Sequence, residues 1–184
     1  MTKKVDLKTF LTKNLRFILL GLLLLAVFHS YIVQIVLMLM LAILGVYSLR
    51  VTRMVPHISV ETISASAILF GYLYGWQVGL AFGVIVGIAG YIMISLMKLT
   101  TIVNALFMGL CGVLAALFHN LNFSFQGAFI VSFTIRAFLG YPTFSTLNPG
   151  LVENIMHSFG DALFNIAITM QIMTLLYGLI LILT

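Results

Sequence analysis

The sequence has little charge. Of its 184 residues, nine are Lys or Arg and four are Asp or Glu, 7% in all, where soluble domains carry roughly 25%. So few charges could not cover a soluble fold of this length. A soluble enzyme, a secreted disulfide scaffold, a disordered tail and a nucleic-acid module are all excluded as readings of the whole chain. One cysteine, Cys111 in Leu110-Cys111-Gly112, excludes an intramolecular disulfide and fits a small packing residue. The four carboxylates are never adjacent, so no acidic cluster could hold Mg²⁺ for headgroup transfer. Gly-x-Ser-x-Gly, His-Glu-x-x-His, P-loop and dinucleotide motifs are all missing. The chain is therefore expected to be no enzyme, to need no cofactor or metal, and to lack a motor of its own.

What the sequence does have is apolar length. Hydrophobic residues make up 62%, which points to an all-α, polytopic transmembrane helix bundle of six or seven short helices. Residues 1–184 read as a single integral membrane domain, with 1–16 as a basic cytoplasmic segment. The loops are too short for a soluble catalytic domain. The apolar run behind the basic start is too long for a signal-peptide core, so no removable signal is expected.

Phe17 to Tyr47 is apolar except at His29-Ser30. As one helix it would be about 46 Å long, against a hydrocarbon core of about 30 Å. The spacing therefore predicts a hairpin turning near His29-Ser30-Tyr31. Further spans are expected at Ile58–Trp76, Val78–Met97, Ile102–Phe118, Phe125–Leu139 and within Leu151–Leu183. A loop from Gly140 to Gly150 carries Pro142 and Pro149.

Charge orients these spans. Five of the nine basic residues, Lys3, Lys4, Lys8, Lys13 and Arg16, lie in the first sixteen positions. With the hairpin, the N-terminus, Arg50, Arg53, Lys98 and Arg136 share one side, which would be the cytoplasmic side of the cell membrane. Seven crossings follow. A single long first helix gives six and puts Arg50, Arg53 and Lys98 outside.

Two patterns suggest function. Gly71, Gly75, Gly79, Gly83 and Gly87 fall four apart, and Gly90 follows. Small residues at this spacing let helices approach closely. A break near Tyr74-Gly75-Trp76-Gln77 would make either a packed hairpin or the wall of a ligand cavity. The second pattern is Glu153, His157, Asp161, Asn165 and Thr169, a polar stripe on the last helix that begins near Asn148-Pro149. Such side chains face a bundle interior or water. The stripe could be structural glue, a partner-facing surface, or part of a metal or proton site. Two or three ligands on one helix do not complete a metal site. Glu61 opens a small polar segment, Val60 to Ser66, and Arg136 could snorkel from a cytoplasmic helix end. The candidate partners of Arg136 are Glu61, Glu153 and Asp161.

The stretch Ile68-Leu69-Phe70-Gly71-Tyr72-Leu73-Tyr74-Gly75-Trp76-Gln77-Val78-Gly79, followed by Gly83 and Gly87, resembles the glycine-punctuated turn of S-components, the substrate-binding subunits of energy-coupling-factor transporters. The chain's size and basic N-terminus are similar too. The Ala-x-x-x-Ala pair of that family's first helix is missing; Ala67 with Gly71 has the spacing but lies later. The resemblance implies a subunit that captures a vitamin or other micronutrient at the outer side. It would dock on a transmembrane coupling protein served by ATPases. The outer-side groups expected to bind the ligand are Tyr72, Trp76, Gln77, His119, Asn120, Asn122 and Gln126. The chain also resembles the MreD type of cell-shape protein, which implies a non-catalytic structural or assembly subunit. Glu61, Arg136, Glu153, His157, Asp161 and Asn165 would then be partner or ion-pair residues. An ion or proton pathway through Glu61, Arg136, Asp161 and Asn165 is a third reading. The expected partners are the lipid bilayer and other membrane subunits, with no nucleic acid.

Overall fold

The computed structural model describes residues 7–54, 61–148 and 150–183. Among them the chain is all-α, with six helical runs: α1 Leu7–Met54, α2 Ile63–Tyr74, α3 Trp76–Met93, α4 Leu99–Asn120, α5 Phe125–Leu147 and α6, residues 151–183. Four stretches are long and apolar enough to cross a membrane: Tyr31–Thr52, Trp76–Met93, Leu99–Asn120 and Leu151–Ile182. The chain packs as two units, Met1–Leu37 and Met38–Thr184. Lys3 and Lys4 of the basic segment, together with His57 and Pro149, lie outside the described residues.

The expected hairpin at His29-Ser30-Tyr31 does not form, because α1 continues through it. No glycine or proline stands there. His, Ser and Tyr each cost a helix only a few tenths of a kcal/mol. A polar dent in an apolar run is not a helix breaker.

The breaks that do form have local causes. Gly75 adopts φ 94°, a region open to glycine and costly for other residues. Its N–H donates to Gly71 O at 3.1 Å and closes α2. Thr101 Oγ1 accepts from Lys98 N at 2.8 Å at the start of α4, and Ser124 Oγ accepts from Gly127 N at the start of α5. Each satisfies a donor that the first helical turn leaves open.

Helix α5 is longer than expected. It continues past Leu139 and through Pro142 to Leu147. Proline removes one intrahelical bond. Neighbouring threonines bond back to the turn carbonyls, Thr143 Oγ1 to Leu139 O at 2.8 Å and Thr146 Oγ1 to Thr143 O at 2.7 Å.

Glycines bring α2, α3 and α4 into backbone contact. A Cβ on Gly79 would lie 2.7 Å from Gly71 Cα, 2.8 Å from Gly112 Cα and 2.9 Å from Ala67 O. One on Gly83 would lie 2.6 Å from Gly109 Cα. The four-residue glycine spacing thus serves helix packing. Its counterpart on α4, Gly109 with Gly112, is spaced by three and escaped the sequence reading. The core above and below these contacts is filled by Phe70, Ile68, Leu69, Met108, Phe129 and Phe133, all fully buried.

Candidate functional site

Within the unit Met38–Thr184, the polar residues gather at the end of the bundle where α2 begins. Glu61 stands two residues before α2, next to the N-cap residue Thr62. Its Oε1 accepts from Ser64 N at 2.7 Å and its Oε2 from Ser64 Oγ at 2.6 Å. A carboxylate here satisfies an open helix donor and meets the positive end of the helix dipole. Arg136 donates from Nη1 to Glu61 Oε2 at 2.9 Å and to Ser64 Oγ at 2.6 Å. From Nη2 it donates to Asn104 Oδ1 at 2.9 Å. Its guanidinium also lies 5.7 Å from the Phe133 ring centroid, within cation–π range.

Of the three candidate partners of Arg136, Glu61 is the one at ion-pair distance. Glu61 is 2% exposed and Arg136 6%. Arg136 therefore does not snorkel. It sits midway along α5 because that helix runs on to Leu147. Burying two charges is costly, and the surrounding hydrogen bonds offset that cost.

The network ends at a cavity. Asn104 Nδ2 donates to Tyr91 Oη at 2.6 Å, and Tyr91 lines a cavity of about 260 Å³. Its other polar walls are Thr52, Glu61, Lys98, Thr100, Thr101, Asn104, Asn148, Glu153, Asn154, His157 and Asp161. Leu49, Ile94, Leu96 and Phe144 supply apolar surface. Tyr91, Asn154 and Asp161 are buried, whereas Lys98, Glu153 and His157 are exposed at the rim. Glu153 Oε1 stands 3.8 Å from His157 Nε2, and its Oε2 accepts from Asn148 Nδ2 at 3.2 Å. Asn154 Nδ2 donates to Asn148 O at 2.7 Å.

Helix α6 presents its stripe to this cavity through an irregularity. Its segments Met156–Gly160 and Asn165–Thr169 are π-helical, with i→i+5 bonding. Residues four apart on a regular helix drift by about 40° per step. Each π turn inserts a residue and brings the stripe back. Glu153, His157 and Asp161 consequently all reach the cavity. Asn165 and Thr169 continue the stripe into the bundle, where both are buried. Asn165 Nδ2 donates to Asp161 O at 2.8 Å. Among the described residues, Asn165 Oδ1, Ser132 Oγ and Ser158 Oγ have no hydrogen-bond partner. Turns of this kind recur at functional sites.

The seven residues expected to bind a ligand lie elsewhere, and none lines this cavity. Tyr72 is in the last turn of α2, at the opposite end from Glu61. Its hydroxyl donates to Phe123 O at 2.9 Å. Its ring packs edge-on against His119 at 4.3 Å and Tyr177 at 5.6 Å between centroids. The structure thus brings Tyr72 and His119 together, in an aromatic cluster. Trp76, Gln77, Asn120, Asn122 and Gln126 are exposed at that end.

Sequence reasoning missed Tyr91, Asn104 and Asn154. Asn104 carried a signal, as the one amide or charged residue within Ile102–Phe118. Tyr91 carried none, since its role depends on Asn104 from the next helix. Among the described residues, no three His, Cys, Asp or Glu side chains converge on a common point. Compared with known proteins, the chain matches no family model, no curated protein and no solved structure.

Proposed function

We propose that this chain is a membrane-embedded, non-catalytic binding subunit for a small water-soluble molecule. Its uptake would be energised by separate subunits, as the resemblance to S-components implies. The observation that carries the reading is the cavity of about 260 Å³, with charged and amide walls at one end of an apolar bundle. Ligand sites are concave, with a few convergent polar groups. The buried Glu61–Arg136 pair and the π turns of α6 are costly features, and Glu61 of the pair and His157 of the first π turn line that cavity. The ligand site is thereby reassigned from the Tyr72–Trp76 end to the Glu61–Asp161 end.

Topology supports capture from outside. Arg136 is buried in its ion pair and no longer counts toward orientation. Five basic residues then precede the span Tyr31–Thr52, and Arg50, Arg53 and Lys98 mark its far end. The more basic flank stays in the cytoplasm. Leu49 and Thr52, near the end of that span, line the cavity with Lys98, so under this proposal the cavity lies on the outer side. Labelling of a Lys98→Cys variant by an impermeant thiol reagent on whole cells tests this, because the native Cys111 is buried. Protection of that position would reverse the orientation.

A non-catalytic assembly subunit is the rival reading. It would use Glu153, His157 and Asp161 as a protein contact. Asp161 is 4% exposed and faces the cavity, which favours the binding reading. The test is thermal unfolding of the purified full chain against a panel of small solutes, vitamins included. A ligand that binds the folded state raises the melting temperature with concentration. A flat response across the panel would reject the proposal.

A further inference from the structure

The cavity walls differ in chemistry by element. One wall is the end of α3 and the loop after it. Tyr91 lies in the last turn of α3, and the loop folds back on it through a bond from Leu96 N to Tyr91 O of 2.9 Å. This wall presents hydrogen-bond donors. The Tyr91 oxygen accepts from Asn104, which leaves its own O–H hydrogen for another acceptor. Lys98 adds an ammonium group, and neither ion pair among the described residues uses it. The other wall is α6, and it presents two carboxylates together with Asn154 and His157, whose Nε2 stands 3.8 Å from Glu153 Oε1. Asp161 and Glu153 both face the cavity from this helix. Glu61 adds no net charge to the floor, because Arg136 and Ser64 hold it.

A site with an ammonium and a hydroxyl donor on one side and two carboxylates on the other is matched by a ligand carrying both charges. Its volume of about 260 Å³ falls just below the usual range of ligand pockets, about 300–1,000 Å³. A compact molecule is required. We propose that the cavity selects a small zwitterion of amino-acid type. Its ammonium group would lie against Asp161 and Glu153, and its carboxylate against Lys98 and the Tyr91 hydroxyl. This rests on the cavity being the ligand site, and it adds the class of ligand.

The experiment uses the purified full-length chain in lipid nanodiscs. The probes are the proteinogenic amino acids, each with its decarboxylated amine and its deaminated acid, and a broad panel of uncharged solutes. Melting temperature and equilibrium binding are read for each. The expected result is one or more amino acids that raise the melting temperature, with the matched amine and acid both weaker. Lys98→Gln should weaken the zwitterion by about twofold to fivefold, as expected for an exposed charge contact. It should leave the matched amine unchanged, so that the preference between the two narrows. Lys98 is exposed, so the substitution leaves folding intact, and Tyr91→Phe gives a second variant that keeps the ring. Binding of uncharged solutes alone, or of an amine or acid in preference to its zwitterion, would overturn the zwitterion assignment and leave the binding function standing. An unchanged preference in Lys98→Gln and Tyr91→Phe would overturn it equally. No binding by any probe would overturn both.

Discussion

The α2–α3–α4 contact and the α5–α6 side of the same unit solve opposite problems. In the first, glycines bring three backbones together and leave no room for a methyl group. In the second, buried serines, an arginine and asparagines stand between helices, α6 carries two π turns, and a cavity opens. Close backbone contact gains dispersion energy and fixes geometry. It also excludes solutes. The polar side gives up that regularity and brings Glu153, His157 and Asp161 to the cavity, opposite Glu61 and Lys98. The close-packed side serves as a frame against which the polar side is positioned.

Substitutions that break the frame should have the largest effect. Gly79→Val would drive a side chain into the backbones of Gly71, Gly112 and Ala67. A loss of about 3 kcal/mol or more is expected, seen as absence of a folded, monodisperse protein after extraction. Next comes the buried pair that joins frame to polar side. Arg136→Met leaves Glu61 buried without its cation, a loss of about 3–5 kcal/mol in thermal or chemical unfolding. The double variant Glu61→Gln/Arg136→Met should recover part of that loss, because no bare charge remains. If the single and double variants unfold alike, the pair is not what anchors α5 to α2.

Smaller effects sharpen the contrast. Tyr91→Phe removes one hydroxyl at the cavity wall and leaves its ring in place. Ligand binding should weaken by about 1 kcal/mol, measured by titration, and the free protein should lose about 1 kcal/mol in unfolding because Asn104 Nδ2 loses its acceptor. Gly178→Ala is the smallest change. Among the described residues, nothing lies within 4 Å of the added methyl group. A gain of about 0.5–1 kcal/mol from the lower chain entropy of alanine is expected. A destabilised Gly178→Ala would show that α6 packs tightly there, against the division drawn above.

Particular residues show what could be read in advance. The turn at Gly75 was legible because Tyr74, Trp76 and Gln77 flank a glycine within a run too long for one span. The glycine contacts were legible from their spacing on α2 and α3. The stripe from Glu153 to Thr169 was legible as one face, although the π turns that straighten it were not. The hairpin at His29-Ser30 was misread because polarity was taken as a break, and α1 runs through it. Arg136 was misread as near a helix end because Pro142 was taken to close α5.

The sequence by itself determined an all-α membrane bundle, its main helix breaks and the small-residue contact. Apolar length, glycine spacing and capping residues act along the chain, within a few turns, so they are visible in one dimension. Only the tertiary structure decided which carboxylate meets Arg136, across 75 residues of sequence. It alone placed Tyr91, Lys98 and Asp161 around one cavity and closed Tyr72 against His119 and Tyr177. Those outcomes depend on which faces three or more helices turn toward each other, and no local spacing encodes that choice.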